Sequence, residues 1–327
     1  MKHKYYLIIV ILIAAQFYTN AQSGGIDKVG TTSFQFLKVM PDARSTGMGD
    51  AFISVVNNAD AVFWNPAALT KVENIDVSVS FVDWFLDVKH FSFAGAYNLE
   101  GVGVFGLQIL FNDVGDIPVT RVSDLYRTAD GSYNPGITGE TMHPGSRVIG
   151  VSYAKKLTDK FAFGLTVKYA YEDLVEKNAS TVMFDGGLSY QTGFKSIEIA
   201  VSLRHFGPEV KFLDSPYPLP QTFAIGISAN LFAPGEALIS QIENQKLLIA
   251  YNLFQPRDYS QQHNIGLEYT YNDLISIRGG YKLNYDGEGL SFGAGVNYNG
   301  YKVDYSYNDY GEFLGQVHRF SIGFSIN

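Results

Sequence analysis

From residue 75 onward, apolar and polar positions alternate in runs of about ten residues separated by Asn, Asp, Gly or Pro. This is the weak but repeated signature of strands that cross a bilayer with one face in lipid. About fourteen such runs can be placed: 75–82, 90–98, 101–111, 146–155, 160–172, 180–190, 195–205, 221–231, 246–254, 264–271, 274–283, 289–298, 301–308 and 317–326. Each suits the ~9–11 residues a tilted strand needs to span. An even number lets both ends of the barrel lie on one side. The pattern therefore predicts an all-β fold, a transmembrane antiparallel β-barrel of about 14 strands over residues 73–327.

Alternation also separates the faces. In 160–172, Phe161, Phe163, Leu165, Val167, Tyr169 and Tyr171 point one way and Ala162, Gly164, Thr166, Lys168, Ala170 and Glu172 the other. A charge on the lipid face costs ~2–4 kcal/mol near the midplane, so the second set is assigned to the lumen. The same argument places Lys168, Glu198, Arg204, Glu268, Arg278, Lys282, Asp304 and Arg319 there. A soluble β-sandwich alternates in the same way, but it has no reason to sort its loops by parity. Here the connections at 99–100, 156–159, 191–194, 272–273 and 299–300 are short, and those at 112–145 and 206–220 are long. Bacterial barrels turn tightly in the periplasm and carry longer loops outside, so the N-terminus and hatch are placed on the periplasmic side. The segment 232–245 breaks the rule. Its Pro234-Gly235-Glu236 opening and the spacing of Ala237, Leu238 and Ile242 predict a short amphipathic helix, resting on the barrel rim or docking a periplasmic partner.

Upstream of the strands, 41–69 shows no strand alternation and has turn chemistry at both ends: Gly47-Met48-Gly49-Asp50 tolerates positive φ or close approach, and Asn65-Pro66-Ala67 initiates a turn. It reads as a plug within residues 22–72, preceded by a lead with Phe34, Phe36 and Val39 as anchors. The spacings Arg44-x-x-Gly47-Met48-Gly49 and Asp60-Ala61-x-x-x-Trp64-Asn65-Pro66-Ala67 resemble the N-terminal hatch of FadL-like outer-membrane barrels, and within them the PorV/PorQ family. That resemblance implies a hatch inside the lumen, no enzymatic activity and no cofactor. It also implies either a role in type IX secretion, binding secretion components or the C-terminal domains of cargo, or FadL-like passage of hydrophobic small molecules.

Lys2 and Lys4, an apolar run to Ala15 and small residues before Gln22 have the layout of a secretory signal peptide over 1–21. This run is shorter than the ~18 residues of a spanning helix. No Cys follows it, so lipoprotein processing is excluded, and the absence of cysteine rules out disulfides and thiolate metal sites. The formal charge of −8 carries no basic cluster, which argues against nucleic acid. Aromatics at 15%, with 22 Tyr and 24 Phe against 2 Trp, fit rings at two membrane interfaces. The expected surroundings are outer-membrane lipid.

Most catalytic signals dissolve. Gly101-Val102-Gly103-Val104-Phe105-Gly106 matches a dinucleotide fingerprint but begins a strand, and the six His lack metal-ligand spacing. What remains is the hatch. Asp42, Arg44, Asp50 and Asp60 face the lumen charges, and complementary pairs would make the hatch either a fixed filler or a gate. Gly186-Gly187 and Gly279-Gly280 mark bulges or close approaches. Trp64-Asn65-Pro66-Ala67 is expected to anchor the hatch, with the Asn65 amide bonding the turn backbone and Trp64 packing on the wall or on the lead.

Overall fold

The computed structural model describes residues 28–326. The segment read as a signal peptide, residues 1–21, lies outside the described residues. Fourteen strands, numbered here in chain order, form the barrel: β1 Ile75–Asp83, β2 Lys89–Leu99, β3 Gly103–Asp113, β4 Gly145–Lys156, β5 Phe161–Asp173, β6 Asn178–Gln191, β7 Glu198–Phe206, β8 Thr222–Ala233, β9 Gln245–Pro256, β10 Gln262–Tyr271, β11 Ile275–Leu283, β12 Leu290–Tyr298, β13 Tyr301–Asp309 and β14 Gln316–Ile326. Each pairs antiparallel with the next, and β14 returns to β1 in a continuous register from Ile75 opposite Ile326 to Asp83 opposite His318. Closure leaves no sheet edge in the wall, which is what a bilayer demands of strands.

The expected faces are present. Along β5, Ala162, Gly164, Thr166, Lys168 and Ala170 are buried while Leu165, Val167 and Tyr169 are exposed. The buried set touches protein because the lumen is filled. Residues 41–72 cross it as two short helices, α1 Ala43–Gly47 and α2 Ala61–Trp64, with a 3-10 turn at Pro66–Lys71. Asp42 starts α1 by accepting the Ser45 amide at 2.8 Å, and Asn65 starts the 3-10 turn by accepting the Ala67 amide at 3.1 Å with Pro66 at its first position.

A belt of inward-facing glycines lets this backbone reach the wall. A methyl group at Gly164 would overlap the Pro66 carbonyl carbon and the Ala67 nitrogen, one at Gly280 the Met48–Gly49 peptide, and one at Gly266 the Met48 carbonyl; one at Gly293 would press on the Gly47 backbone, and at Gly106, Gly187 and Gly226 it would overlap side-chain atoms of Val62, Asn65 and Ile53. Gly279-Gly280 lies in an unbroken ladder, so its role is close approach and not a kink. At the other pair the register between β6 and β7 shifts between Phe184 and Gly186, opposite His205 at φ 59°.

Two expectations are corrected. The segment 232–245 forms no helix: β8 runs on to Ala233, and Ser240–Gln241 lies parallel to Phe232–Ala233. The amides of Leu238, Ile239 and Ile242 donate to Asn230, Leu231 and Ala233 carbonyls. Beyond the bulge where β9 departs, β8 offers these carbonyls a ladder, and one isolated helical turn cannot compete with it. The lead also lies elsewhere than placed. The Ser33 amide donates to Pro218, Thr32 and Lys38 reach Asp258, and Phe34 packs with Phe212 and Leu219. The lead thus occupies the long-loop end of the lumen, and the chain descends from there through the hatch to enter β1 at the short-turn end. At the long-loop end a twisted hairpin, Ile117–Arg127 with Tyr133–Met142, rises beyond the rim.

Glycine belt and wall can be told apart by neighbouring substitutions. Gly280→Ala is expected to destabilise the hatch by about 1–3 kcal/mol through overpacking, whereas Gly279→Ala, which meets nothing within 4 Å, should behave as the parent. Thermal unfolding of the purified barrel checks this, and equal midpoints for the two variants would remove the belt from the account.

Candidate functional site

The hatch is organised around Asp42 and Trp64. Trp64 is fully buried, its indole nitrogen donates to Asp42 Oδ2 at 2.7 Å, and its ring meets Phe52 edge-on at 5.8 Å. It packs on hatch and wall, with Arg204 Cζ 5.2 Å above its ring, and not on the lead. Among the described residues Asp42 forms no ion pair, and its carboxylate also receives the Ser45 hydroxyl at 2.6 Å. Asp60 is likewise held without a cation, by Ser78 and by the Asn58 amide at 2.7 Å. Asn65 has a φ of −153° and a ψ of 101°, extended as a residue before proline must be. Its amide group donates to Ile53 O at 3.2 Å and to Leu188 O on β6 at 3.1 Å. Trp64-Asn65-Pro66-Ala67 therefore joins the two halves of the hatch and ties both to the wall.

Two hatch charges find the expected partners. Arg44 forms a fork with Glu268, Nε to Oε2 at 2.9 Å and Nη2 to Oε1 at 2.8 Å, and Glu268 also receives Arg278 Nε at 2.6 Å. Arg278 continues to Asp304 at 2.6 Å. Asp50 meets Lys282 at 2.5 Å, which also meets Glu288 at 2.5 Å. Glu198 pairs with Lys71 at 2.7 Å. Lys168 pairs within the wall with Asp185 on β6 at 2.5 Å. Arg319 holds the hatch by its backbone, Nε to Met40 O at 3.0 Å, and Arg204 Nη1 reaches Phe63 O at 3.3 Å.

Other wall residues do as much and were not singled out from sequence. Asn252, Asn264 and Asn308 donate to the carbonyls of Asp50, Gly49 and Thr46 at 3.0, 2.6 and 2.9 Å. Ser202 donates to Trp64 O at 2.7 Å, and Ser321 accepts the Ala43 amide at 2.9 Å. Their signal was present: asparagine is depleted in strands, yet these three fall within the alternating runs at lumen parity. Above the hatch, at the long-loop end, lies a cavity of about 220 Å³ whose lining includes Trp64, Trp84, Arg204, Phe254, Lys282 and Arg319.

The sequence comparison points to one family. The profile described as "Type IX secretion system protein PorV" matches residues 22–202. The chain belongs to the PorV family. PorV relatives make up a family of non-enzymatic outer-membrane barrel proteins. No curated protein matches the chain. Among solved structures, the Pseudomonas putida toluene transporter TodX is similar with a TM-score of 0.54 at 12% identity, covering 86% of this chain and 98% of that one. The CymD monoaromatic hydrocarbon channel gives 0.51 at 12%, covering 88% and 98%. A Pseudomonas aeruginosa FadL homologue gives 0.50 at 10%, covering 88% and 98%. At these identities the likeness concerns the fold: this PorV family barrel is FadL-like.

Asn65→Ala leaves the Ile53 and Leu188 carbonyls and the Ala67 amide short of a partner, a cost of about 1–3 kcal/mol. The hatch should loosen while the barrel stays intact. Planar-bilayer conductance is the measurement. A variant as closed as the parent would show that the turn is not an anchor.

Proposed function

We propose that this PorV family barrel serves type IX secretion as a closed, protein-binding component, receiving secretion partners or the C-terminal domains of cargo at its long-loop end, which faces the cell exterior. The observation that carries this reading is the contrast between the two parts of the molecule. At mid-height the lumen is filled by Met48, Phe52, Ile53, Val56, Trp64 and Leu69, all fully buried, and the hatch is bound to the wall by ion pairs and by side chains that bond its backbone. Above the rim the hairpin exposes Val122, Tyr126 and Tyr133 to solvent. A two-stranded hairpin is marginal alone, and exposed aromatics on a projecting loop suit a protein surface.

The second reading, passage of hydrophobic small molecules, has one observation in its favour. The register shift beside Gly186 sits where the hatch meets the wall at Gly187 and Asn65, a place where a wall can open. The neighbours titled as a toluene transporter and as monoaromatic hydrocarbon channels share the fold. The charged and hydrogen-bonded lumen favours the first reading.

Co-isolation from the native outer membrane decides between them. The tagged barrel is expected to bring down type IX components or cargo, and replacing 116–143 with a tight turn should reduce that recovery at least tenfold. Recovery of bound hydrophobic molecules with no protein partner would overturn the proposal.

The hairpin neck carries a pH dependence of its own. His143 Nδ1 lies 3.0 Å from Asp116 and Nε2 lies 3.0 Å from Asp113. The hydrogen bond to Asp116, then the charge of Asp113, raise the imidazole pKa above its ordinary 6.5. A raised folded pKa means the clasp is complete below 6.5 and is lost as pH climbs through the raised value. An NMR titration of the imidazole should show a midpoint above 6.5 that falls in Asp116→Asn. A midpoint at or below 6.5 in the parent would remove the clasp.

A further inference from the structure

Four cations line the cavity at the long-loop end, Lys38, Arg204, Lys282 and Arg319, against three carboxylates, Asp50, Asp258 and Glu288, so one positive charge has no counterpart. Lys38 meets Asp258 at 2.5 Å and Lys282 meets both Asp50 and Glu288. Arg319 has no carboxylate, but its Nε, Nη1 and Nη2 donate to Met40 O, Asn308 Oδ1 and the Tyr310 hydroxyl. Arg204 differs. It is 7% exposed, its Nε has no partner, and among the described residues no carboxylate lies within ion-pairing distance. Its Nη1 uses a backbone carbonyl and the thioether of Met40 at 3.1 Å, and sulfur is a weak acceptor.

The surroundings repeat the deficiency. Arg204 also borders a second, smaller space across Met40, where Gln108 Nε2 and His205 Nδ1 are buried without partners. A buried guanidinium with no carboxylate partner and one nitrogen unmet is costly. Its Cζ lies 5.2 Å from the Trp64 ring and 5.8 Å from the Phe254 ring. Stacking of this kind occupies a guanidinium's faces and leaves its edge for a planar acceptor, which a carboxylate matches with two parallel hydrogen bonds. Size narrows the class further. At about 220 Å³ the cavity is below the ~300–1,000 Å³ of pockets that enclose a whole drug-sized ligand, and its charged lining does not suit a long alkyl chain. One acid side chain on a segment reaching in from the loops fits both limits.

We propose that this cavity is a carboxylate-binding site in which Arg204 takes the acid group of a peptide segment, an Asp or Glu side chain, entering from the long-loop end, with Met40 holding the place until it arrives. The proposal rests on the protein-binding reading above and names the chemistry of that contact.

The two tryptophans of the chain, Trp64 and Trp84, both line the cavity, so ¹⁵N-indole labelling gives two signals, assigned by Trp84→Phe. The purified barrel in detergent is titrated with N-acetyl-glutamate methylamide, N-acetyl-glutamine methylamide and oleate. The glutamate probe should shift the Trp64 signal saturably, with at least tenfold weaker binding for the glutamine probe and in Arg204→Gln, and with partial recovery in Arg204→Lys. Met40→Leu, which removes the sulfur acceptor and leaves Arg204 in place, should bind the glutamate probe at least as tightly as the parent. This second variant keeps the test intact if Arg204→Gln fails to fold. Equal shifts with both amino-acid probes, no saturable shift, or oleate binding that alone depends on Arg204 would each overturn the site. Co-isolation of protein partners reads the function separately, so loss of the site with partners retained would sink this proposal and leave the protein-binding reading standing.

Discussion

Everything in this barrel depends on how closely an irregular backbone can approach a sheet that is already fully hydrogen-bonded. Strand carbonyls and amides are used in the wall, so the hatch cannot satisfy its own polar groups there by adding a strand. Glycine removes the side-chain layer at points of contact: Gly280 meets Met48 and Gly49, Gly164 meets Pro66, and Gly293 meets Gly47. Between these points the wall supplies short polar side chains as surrogate partners. Asn252, Asn264, Asn308, Ser202 and Ser321 take up groups of Asp50, Gly49, Thr46, Trp64 and Ala43. A buried backbone group left without such a partner would cost as much as a lost hydrogen bond.

Charge is secondary to this fit but directs it. A buried ion pair is weak evidence of stability, because desolvation offsets much of the attraction. Its use here is registration. The Arg44–Glu268–Arg278–Asp304 chain links the first hatch helix to β10, β11 and β13, and Asp50–Lys282 links the following turn to β11. A hatch shifted by one residue would strand several charges at once. Asp42 serves the interior of the hatch instead, as the acceptor for Trp64 and Ser45, while Asp60 accepts from Asn58 within the hatch and from Ser78 on β1.

The proposed protein-binding role rests on the difference between a hatch tied to the wall and the exposed hairpin above it. At mid-height polar groups of the hatch are met repeatedly by the wall. Buried atoms without a partner occur in both parts, Asp50 Oδ1, Ser54 Oγ and Asn58 Oδ1 in the hatch and Arg204 Nε, His205 Nδ1 and Gln108 Nε2 toward the loops, so the contrast lies in the hairpin, which leaves its apolar side chains in solvent. The protein-binding role proposed above calls for a stable plug and an adaptable mouth. Those demands fall on different residues here.

Much of this was legible in the chain itself. Alternation located all fourteen strands, with a largest displacement of three residues at the start of β7, expected at 195 and found at Glu198. The cost of charge in lipid is also what put the eight wall charges on the lumen face in the reading of the chain. Both are local properties, read from neighbours two residues apart. Residues 41–69 stood out for the same reason, since turn residues and absent alternation are local too. What tertiary structure alone decided is long-range. That Arg44 meets Glu268 while Asp42 meets Trp64, that 238–242 follow the edge of β8 instead of coiling, and that the lead reaches Pro218 and Asp258 all depend on barrel closure and on the direction in which the hatch threads it. Arg44 and Glu268, 224 residues apart, share no periodicity. Closure brings them together, and the pattern along the chain records only that closure must occur.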